Sequence, residues 1–259
     1  MEPTPAPAVT ERPLLLLSND DGVHAEGLRL LARAVEALGD VIIVAPASEQ
    51  STRSHALTLH RPLRVQPIGE GVWSVDGTPA DCTYVALHHP TMLPRRPTLV
   101  LSGINHGANL GSDVFYSGTV AAAREAAFRG VAAMALSMPS SADPAVCAAL
   151  AVPFVERLLR ALEATPPGVT PLLNLNFPHG EPKGVRNTRL GVRTYEDIVE
   201  VREDPRGRQY LWIGGPSVVH PLVAGSDTEA FDAGFISLSA LRLDLDTNGF
   251  APLVDAVAG

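Results

Sequence analysis

The sequence predicts an α/β protein: a three-layer α/β/α Rossmann-like domain with a largely parallel central sheet and a C-terminal β-hairpin arm. Three observations predict it. Short apolar runs recur without polar alternation, as in strands buried on both faces. Helical segments separate them, which gives the β-α-β rhythm of a parallel sheet. After about residue 183 the character changes to alternating, turn-linked runs.

In order along the chain, "LLLLS" (Leu14–Ser18) is the first buried strand. "EGLRLLARAVEALG" carries apolar residues at helical spacing and stops at Gly39. "DVIIVAP" is the second strand. Residues 55–77 read as extended structure or a hairpin at a sheet edge. Thr78-Pro79-Ala80-Asp81 is a helix start, with a Thr cap, Pro at the first position and an acid three residues after the cap. "TLVLSG" is a third strand, "SGTVAAAREAAFRG" a helix and "VAAMALSM" a fourth strand. Asp143-Pro144 opens a helix that Pro153 is expected to kink or split. "PLLNLNFP" is a fifth strand. "YEDIVEVREDPRGRQYLWIGG" is a hairpin turning at residues 204–207, "SDTEAFDAG" a short helix and "FISLSALRL" a late strand. The expected layout is a disordered Pro-rich tail over residues 1–13, then one domain over 14–259, from which residues 195–215 protrude as the arm.

Composition removes several function classes. A net charge of −8 argues against a broad basic face for a nucleic-acid polymer. There is no Gly-x-x-x-x-Gly-Lys run, and Lys183 is the only lysine, so neither a P-loop nor a Schiff base is indicated. No apolar run reaches membrane-spanning length. The acidic, Pro-rich start lacks the apolar core of a signal peptide. Cys82 and Cys147 have no metal-type spacing and form no disulfide framework, which reads as a reduced, cytoplasmic protein.

In a parallel α/β sheet, ligands bind beyond the carboxyl ends of the strands. Three loops bring polar residues to that rim. Asn19, Asp20, Asp21 and Gly22 follow the first strand, and Ser48, Ser51 and Ser54 follow the second. "SGINHGANLGSDVFYSGT" follows the third. "NDDG" on its own is an ordinary turn sequence. Two adjacent carboxylates at an apolar strand end nevertheless repel, and a divalent cation removes that cost. The surrounding hydroxyls and amides are hard oxygen donors, which favours Mg²⁺ or Mn²⁺ over structural Zn²⁺. His24 and His106 are near in sequence but lack a metal-type spacing. Ser117-Gly118-Thr119 opens a helix whose free N–H groups suit a phosphate, although capping alone would explain it. On this reading a Val at Gly118 would crowd the phosphate and spare the metal. A cation beside an anion site suggests phosphoryl chemistry.

"SNDDG", "DGTPADC", "SGINHGANLGSDVFYSGTVAAAREA", "LNLNFP" and "SDTEAFDAGFISLSAL" together resemble the SurE family over about residues 14–241. The resemblance implies a metal-dependent phosphatase of nucleoside 5′-monophosphates, with 3′-monophosphates and short polyphosphate as further substrates. It implies one divalent ion per subunit, Mn²⁺ or Mg²⁺ with Co²⁺ as another, held by Asp20, Asp21, Ser51 and Asn105. Ala47 stands where the family often has Asp, and Ser48 is the alternative to Ser51. Asp20, Asp21 and Asn105 would be catalytic, with Asn109, Ser117, Gly118 and Thr119 near the phosphate. His106 is a candidate leaving-group acid by position. The resemblance also implies a homodimer or homotetramer joined through the C-terminal arm. Two rival readings are a Rossmann-like metal-dependent deacetylase, which needs histidine ligands and would be expected to have His-Pro where this first loop has Ser18-Asn19, and a nucleotide-binding sensor without turnover.

Overall fold

The computed structural model describes residues 12–166, 168–195, 198–213, 218–219, 221–244 and 251–258. The expected tail at residues 1–13 therefore lies outside them except for its last two residues, as do parts of the arm. Nine strands form one sheet. Their order in space is β3 (Val65–Gly69), β4 (Val72–Val75), β2 (Asp40–Pro46), β1 (Leu14–Ser18), β5 (Leu99–His106), β6 (Ala132–Met138), β7 (Leu172–Asn176), β13 (Ile236–Ala240) and β8 (Val185–Thr188). The six strands from β4 to β7 run parallel, β3 pairs antiparallel to β4, and β13 pairs antiparallel to β7.

The four leucines show why the first strand is continuously apolar. Leu15 and Leu17 pack into a core with helices α1 (Glu26–Val35) and α4 (Pro144–Glu163), whereas Leu16 faces a second core with α2 (Pro79–His88) and α3 (Gly118–Phe128). Burial on both faces leaves no position for a polar residue until the strand ends. The start of α2 forms as its sequence dictates: Thr78 accepts from the Asp81 N–H, and the Asp81 carboxylate accepts from the Thr78 N–H. The expected split at Pro153 does not occur, since α4 runs unbroken through it. Cys147, Ala148, Ala151, Phe154, Val155 and Leu158 are buried on both sides of the proline, and this packing outweighs its lost hydrogen bond.

Beyond the sheet, β10 (Val199–Glu203) and β11 (Gln209–Ile213) form a separate antiparallel hairpin. Asp204 closes its turn by accepting from the N–H groups of Arg206 and Arg208, with Gly207 at φ 75°. At its root, β9 (Thr194–Tyr195) pairs with β12 (Val218–Val219). No helix of the described residues is long and apolar enough to cross a membrane.

The chain steps from β1 to β2 and β4 on one side, then returns to β5 on the other. That reversal splays the loops after β1 and β5 apart, and the crevice between them is the expected ligand position.

Candidate active site

A cleft of about 960 Å³ opens at this reversal. Its first wall is the loop after β1. Asn19 clamps the turn, donating from Nδ2 to the Gly22 carbonyl at 3.0 Å and accepting the Gly22 N–H on Oδ1 at 3.2 Å. Gly22 has a φ of 101°, which favours glycine. The turn reading of "NDDG" is thus realised, and it holds two carboxyls at the cleft floor.

Asp20 is buried. Burial pushes its carboxyl up to about 6, and Asp21 adds to the shift, against the Thr119 hydroxyl and N–H groups that favour the ionised form. The Thr119 hydroxyl donates to Asp20 Oδ1. Asp21 is partly buried and its carboxyl is also raised, first by burial and further by Glu49, while the His106 N–H donates to its Oδ2 at 3.3 Å.

The loop after β2 is tied down from two sides. The Gln50 N–H donates to the Asp20 carbonyl at 2.8 Å. Ser54 donates from its N–H to the Tyr116 carbonyl at 3.0 Å and from its hydroxyl to the Phe115 carbonyl at 2.6 Å. Ser51 lines the cleft and donates to Glu49 Oε1 at 2.8 Å. Ser48 does not line it and accepts from Gln50 instead. Next to Ser51, Thr52 has a φ of 57°, a strained conformation for a β-branched residue.

The loop after β5 begins at an irregularity. Between Ser102 and Asn105, β5 advances three residues while β6 advances two, so a bulge lies at Gly103-Ile104 and Asn105 rejoins the ladder opposite Ser137. Its amide nitrogen donates to the Gly107 carbonyl at 2.6 Å, which leaves the amide oxygen for the cleft. Asn109 is gripped by the neighbouring strands. Its N–H donates to Asn176 Oδ1 at 2.7 Å, its Nδ2 donates to the Ser137 hydroxyl at 2.7 Å, and Asn174 and Asn176 both donate to its carbonyl. Ser117 caps α3 by accepting from the Val120 N–H, and it lines the cleft. Gly118 and Thr119 do not line it. They are buried behind Asp20, and a β-carbon on Gly118 would stand 3.0 Å from Asp20 Oδ2.

The structure thus gathers Asp20, Asp21, Ser51, Asn105, Asn109 and Ser117 around one cleft, with His106 at its edge, while His24 lies outside it. Several lining residues escaped the sequence reading. Glu26 and Glu49 bring further carboxyls. Asp113, in the 3-10 turn before α3 (Gly111–Phe115), accepts from Arg193 Nη1 at 2.6 Å and from the Tyr195 hydroxyl at 2.8 Å. Burial and the Asp113 carboxylate push the Tyr195 phenol up to about 12, so it stays a donor. Asn174 and Asn176, which support Asn109 from behind the cleft, stand in the sequence only as part of a strand and of the "LNLNFP" motif, with no role of their own. Two amides in a buried strand were the available signal, since buried amides need partners. Tyr195 had no signal, because its link to Asp113 spans 82 residues.

Five carboxyl-bearing residues line the cleft (Asp20, Asp21, Glu26, Glu49 and Asp113), and no Lys or Arg does among the described residues. Of these, only Asp113 is in an ion pair among the described residues. Oxygen atoms of carboxylate, hydroxyl and amide type around uncompensated negative charge fit a hard divalent cation.

Comparison with known proteins bears on the family and the fold. The family model described as survival protein SurE matches residues 15–197. A protein of Sorangium cellulosum named 5′-nucleotidase SurE is 54% identical over 249 residues, covering 96% of this chain and 95% of the other. One of Myxococcus xanthus with the same name is 46% identical over 240 residues, covering 92% and 90%. The crystal structure of the SurE protein from Aquifex aeolicus superposes with a TM-score of 0.80 at 33% identity, covering 95% of this chain and all of the other.

Proposed function

The chain belongs to the SurE family, and from that premise we propose that it is a metal-dependent 5′-nucleotidase that hydrolyses nucleoside 5′-monophosphates to nucleoside and inorganic phosphate. The supporting observation is the charge of the cleft. A pocket lined by carboxylates without a lysine or arginine repels a phosphate monoester. It becomes a phosphate site only once a cation is bound. We assign one divalent ion per subunit, Mn²⁺ or Mg²⁺ with Co²⁺ able to substitute, to Asp20, Asp21, Ser51 and Asn105. Such an ion supplies Lewis-acid charge for phosphoryl transfer.

The chain's own residues prepare that chemistry. Thr119 fixes the rotamer of Asp20 and favours its ionised form, and the His106 N–H does the same for Asp21. Either carboxylate can take the proton of an attacking water. Asn109, held from three sides, and Ser117 at the start of α3 form the wall where the phosphate end of the substrate rests. Gly118 and Thr119 act through Asp20 rather than on the phosphate. We keep His106, which is exposed and lines the cleft, as the candidate to protonate a leaving oxygen.

We extend the proposal to 3′-monophosphates and short polyphosphate as minor substrates. The arm is assigned to a homodimer or homotetramer, and two free, buried cysteines suit a cytoplasmic protein. Phosphate release from AMP and GMP, with and without added Mn²⁺, tests the reading. Metal-dependent release that is lost in Asp20→Asn is expected. Absence of release with every divalent metal overturns it.

A further inference from the structure

We infer that the root of the arm builds a nucleobase subsite whose main face is the ring of Tyr195. The inference deepens the nucleotidase reading and rests on it. Tyr195 is held more firmly than an edge residue of a two-residue strand requires. Its hydroxyl donates to Asp113 Oδ1 at 2.8 Å, and the guanidinium of Arg193 lies 5.7 Å from its ring centroid. Arg193 is itself fixed, donating from Nη1 to Asp113 at 2.6 Å and to the Ala108 carbonyl at 3.3 Å. Despite these restraints the residue remains 46% exposed and lines the cleft. A half-exposed aromatic ring, fixed in orientation beside a phosphate-scale site, is a stacking platform.

Two neighbours extend the apolar wall. Tyr116, at the end of the 3-10 turn, and Ile213, the last residue of β11, line the same cleft, and Ile213 is 90% exposed. All three stand on the arm and the 3-10 turn, whereas the acidic pair stands at the end of β1. A nucleoside monophosphate has the same polarity, with its charge at one end and a flat apolar face at the other. Because the phenol proton of Tyr195 is committed to Asp113, the residue offers a base its plane and no free O–H donor.

The test compares substrates with and without a base. For wild type, Tyr195→Ala and Tyr195→Phe, the KM of AMP is divided by the KM of ribose 5-phosphate, both with Mn²⁺. Loss of one stacking face is expected to raise that ratio about tenfold in Tyr195→Ala. Tyr195→Phe keeps the ring and should stay within about twofold of wild type on the same ground. A residue that merely anchors the arm would shift both KM values together, and an unchanged ratio overturns the inference. Adenosine binding in EDTA, followed by calorimetry on the same proteins, separates the subsite from the chemistry. If wild type releases no phosphate from either ester, the nucleotidase reading fails. Adenosine bound equally by wild type and Tyr195→Ala then overturns the subsite as well, and weaker binding by the variant upholds it.

Discussion

A β-carbon placed on Gly118 would stand 2.8 Å from the β-carbon of Asp20. The first residue of α3 is a glycine because a carboxylate occupies the space its side chain would need. Pro79 closes the other side at 3.0 Å. The start of α3 is therefore spent on Asp20, where its N–H groups and positive dipole end favour an ionised acid. Gly118→Val should displace Asp20 and remove the metal response and the activity together. Overpacking of this kind costs about 1–3 kcal/mol, so a folded variant should be recoverable. Phosphate release and Mn²⁺ calorimetry on that variant check it. Intact Mn²⁺ affinity with lost activity would restore the direct phosphate role that the sequence suggested.

How much was legible depended on the range of the interactions. The order of β1, α1, β2, α2, β5, α3 and β6 could be read, because each is set by local apolar pattern and local caps such as Thr78 with Asp81. Asp20 and Asp21 could be placed at the rim because the first strand ends there, whereas Asn105 was singled out only by the family resemblance. The position of Gly118 could not be read, since a helix start looks the same whether it faces solvent or a carboxylate from 98 residues earlier. The unsplit helix at Pro153 has a related cause: local propensity allows a split there, and packing on both sides of the residue keeps α4 continuous.

The second loop offers a sharp discrimination between two serines three residues apart. Ser51 lines the cleft and Ser48 does not. With its proton donated to Glu49, the Ser51 oxygen keeps its lone pairs for a cation. Ser51→Ala should weaken Mn²⁺ binding about tenfold, roughly the 1.4 kcal/mol of one modest ligand. Ser48→Ala should leave it unchanged. Parallel calorimetric titrations decide the matter, and the reverse ranking would move the ligand to Ser48.

The hairpin exposes a face that water does not favour. Val199 pairs with Ile213 and Val201 with Leu211, so the four side chains share one side of a two-stranded ribbon. All four are more than half exposed. An isolated ribbon is marginal in water, and an apolar face on one calls for a partner. If the arm joins subunits as proposed, deleting residues 200–210 should leave monomer or aggregate by light scattering where the intact protein is an oligomer. An unchanged, well-folded oligomer would show that assembly uses another surface.

The acidic pair gives the last prediction, which concerns pH and metal together. The Asp20 carboxyl rises from 3.8 to about 6 on folding, chiefly through burial and further through Asp21. The folded form then holds a proton more tightly than the unfolded chain. Its contribution to stability is complete below about pH 4 and is lost as pH rises through about 6. At pH 7, without metal, the ionised group costs the native state about 3 kcal/mol. Asp20→Asn keeps an oxygen for the Thr119 hydroxyl and removes that charge. Its new amide N–H group, lacking an acceptor, offsets part of the gain. In EDTA at pH 7 the variant should be about 1–2 kcal/mol more stable than wild type, and this advantage should vanish by pH 4. Saturating Mn²⁺ should raise the wild-type melting temperature at pH 7, since it binds only the native state, and should barely move the variant. Reading wild type against variant at each pH cancels the other carboxyls. A wild-type melt indifferent to Mn²⁺, or a variant less stable in EDTA at pH 7, would mean that Asp20 is a turn residue and not the anchor of a metal.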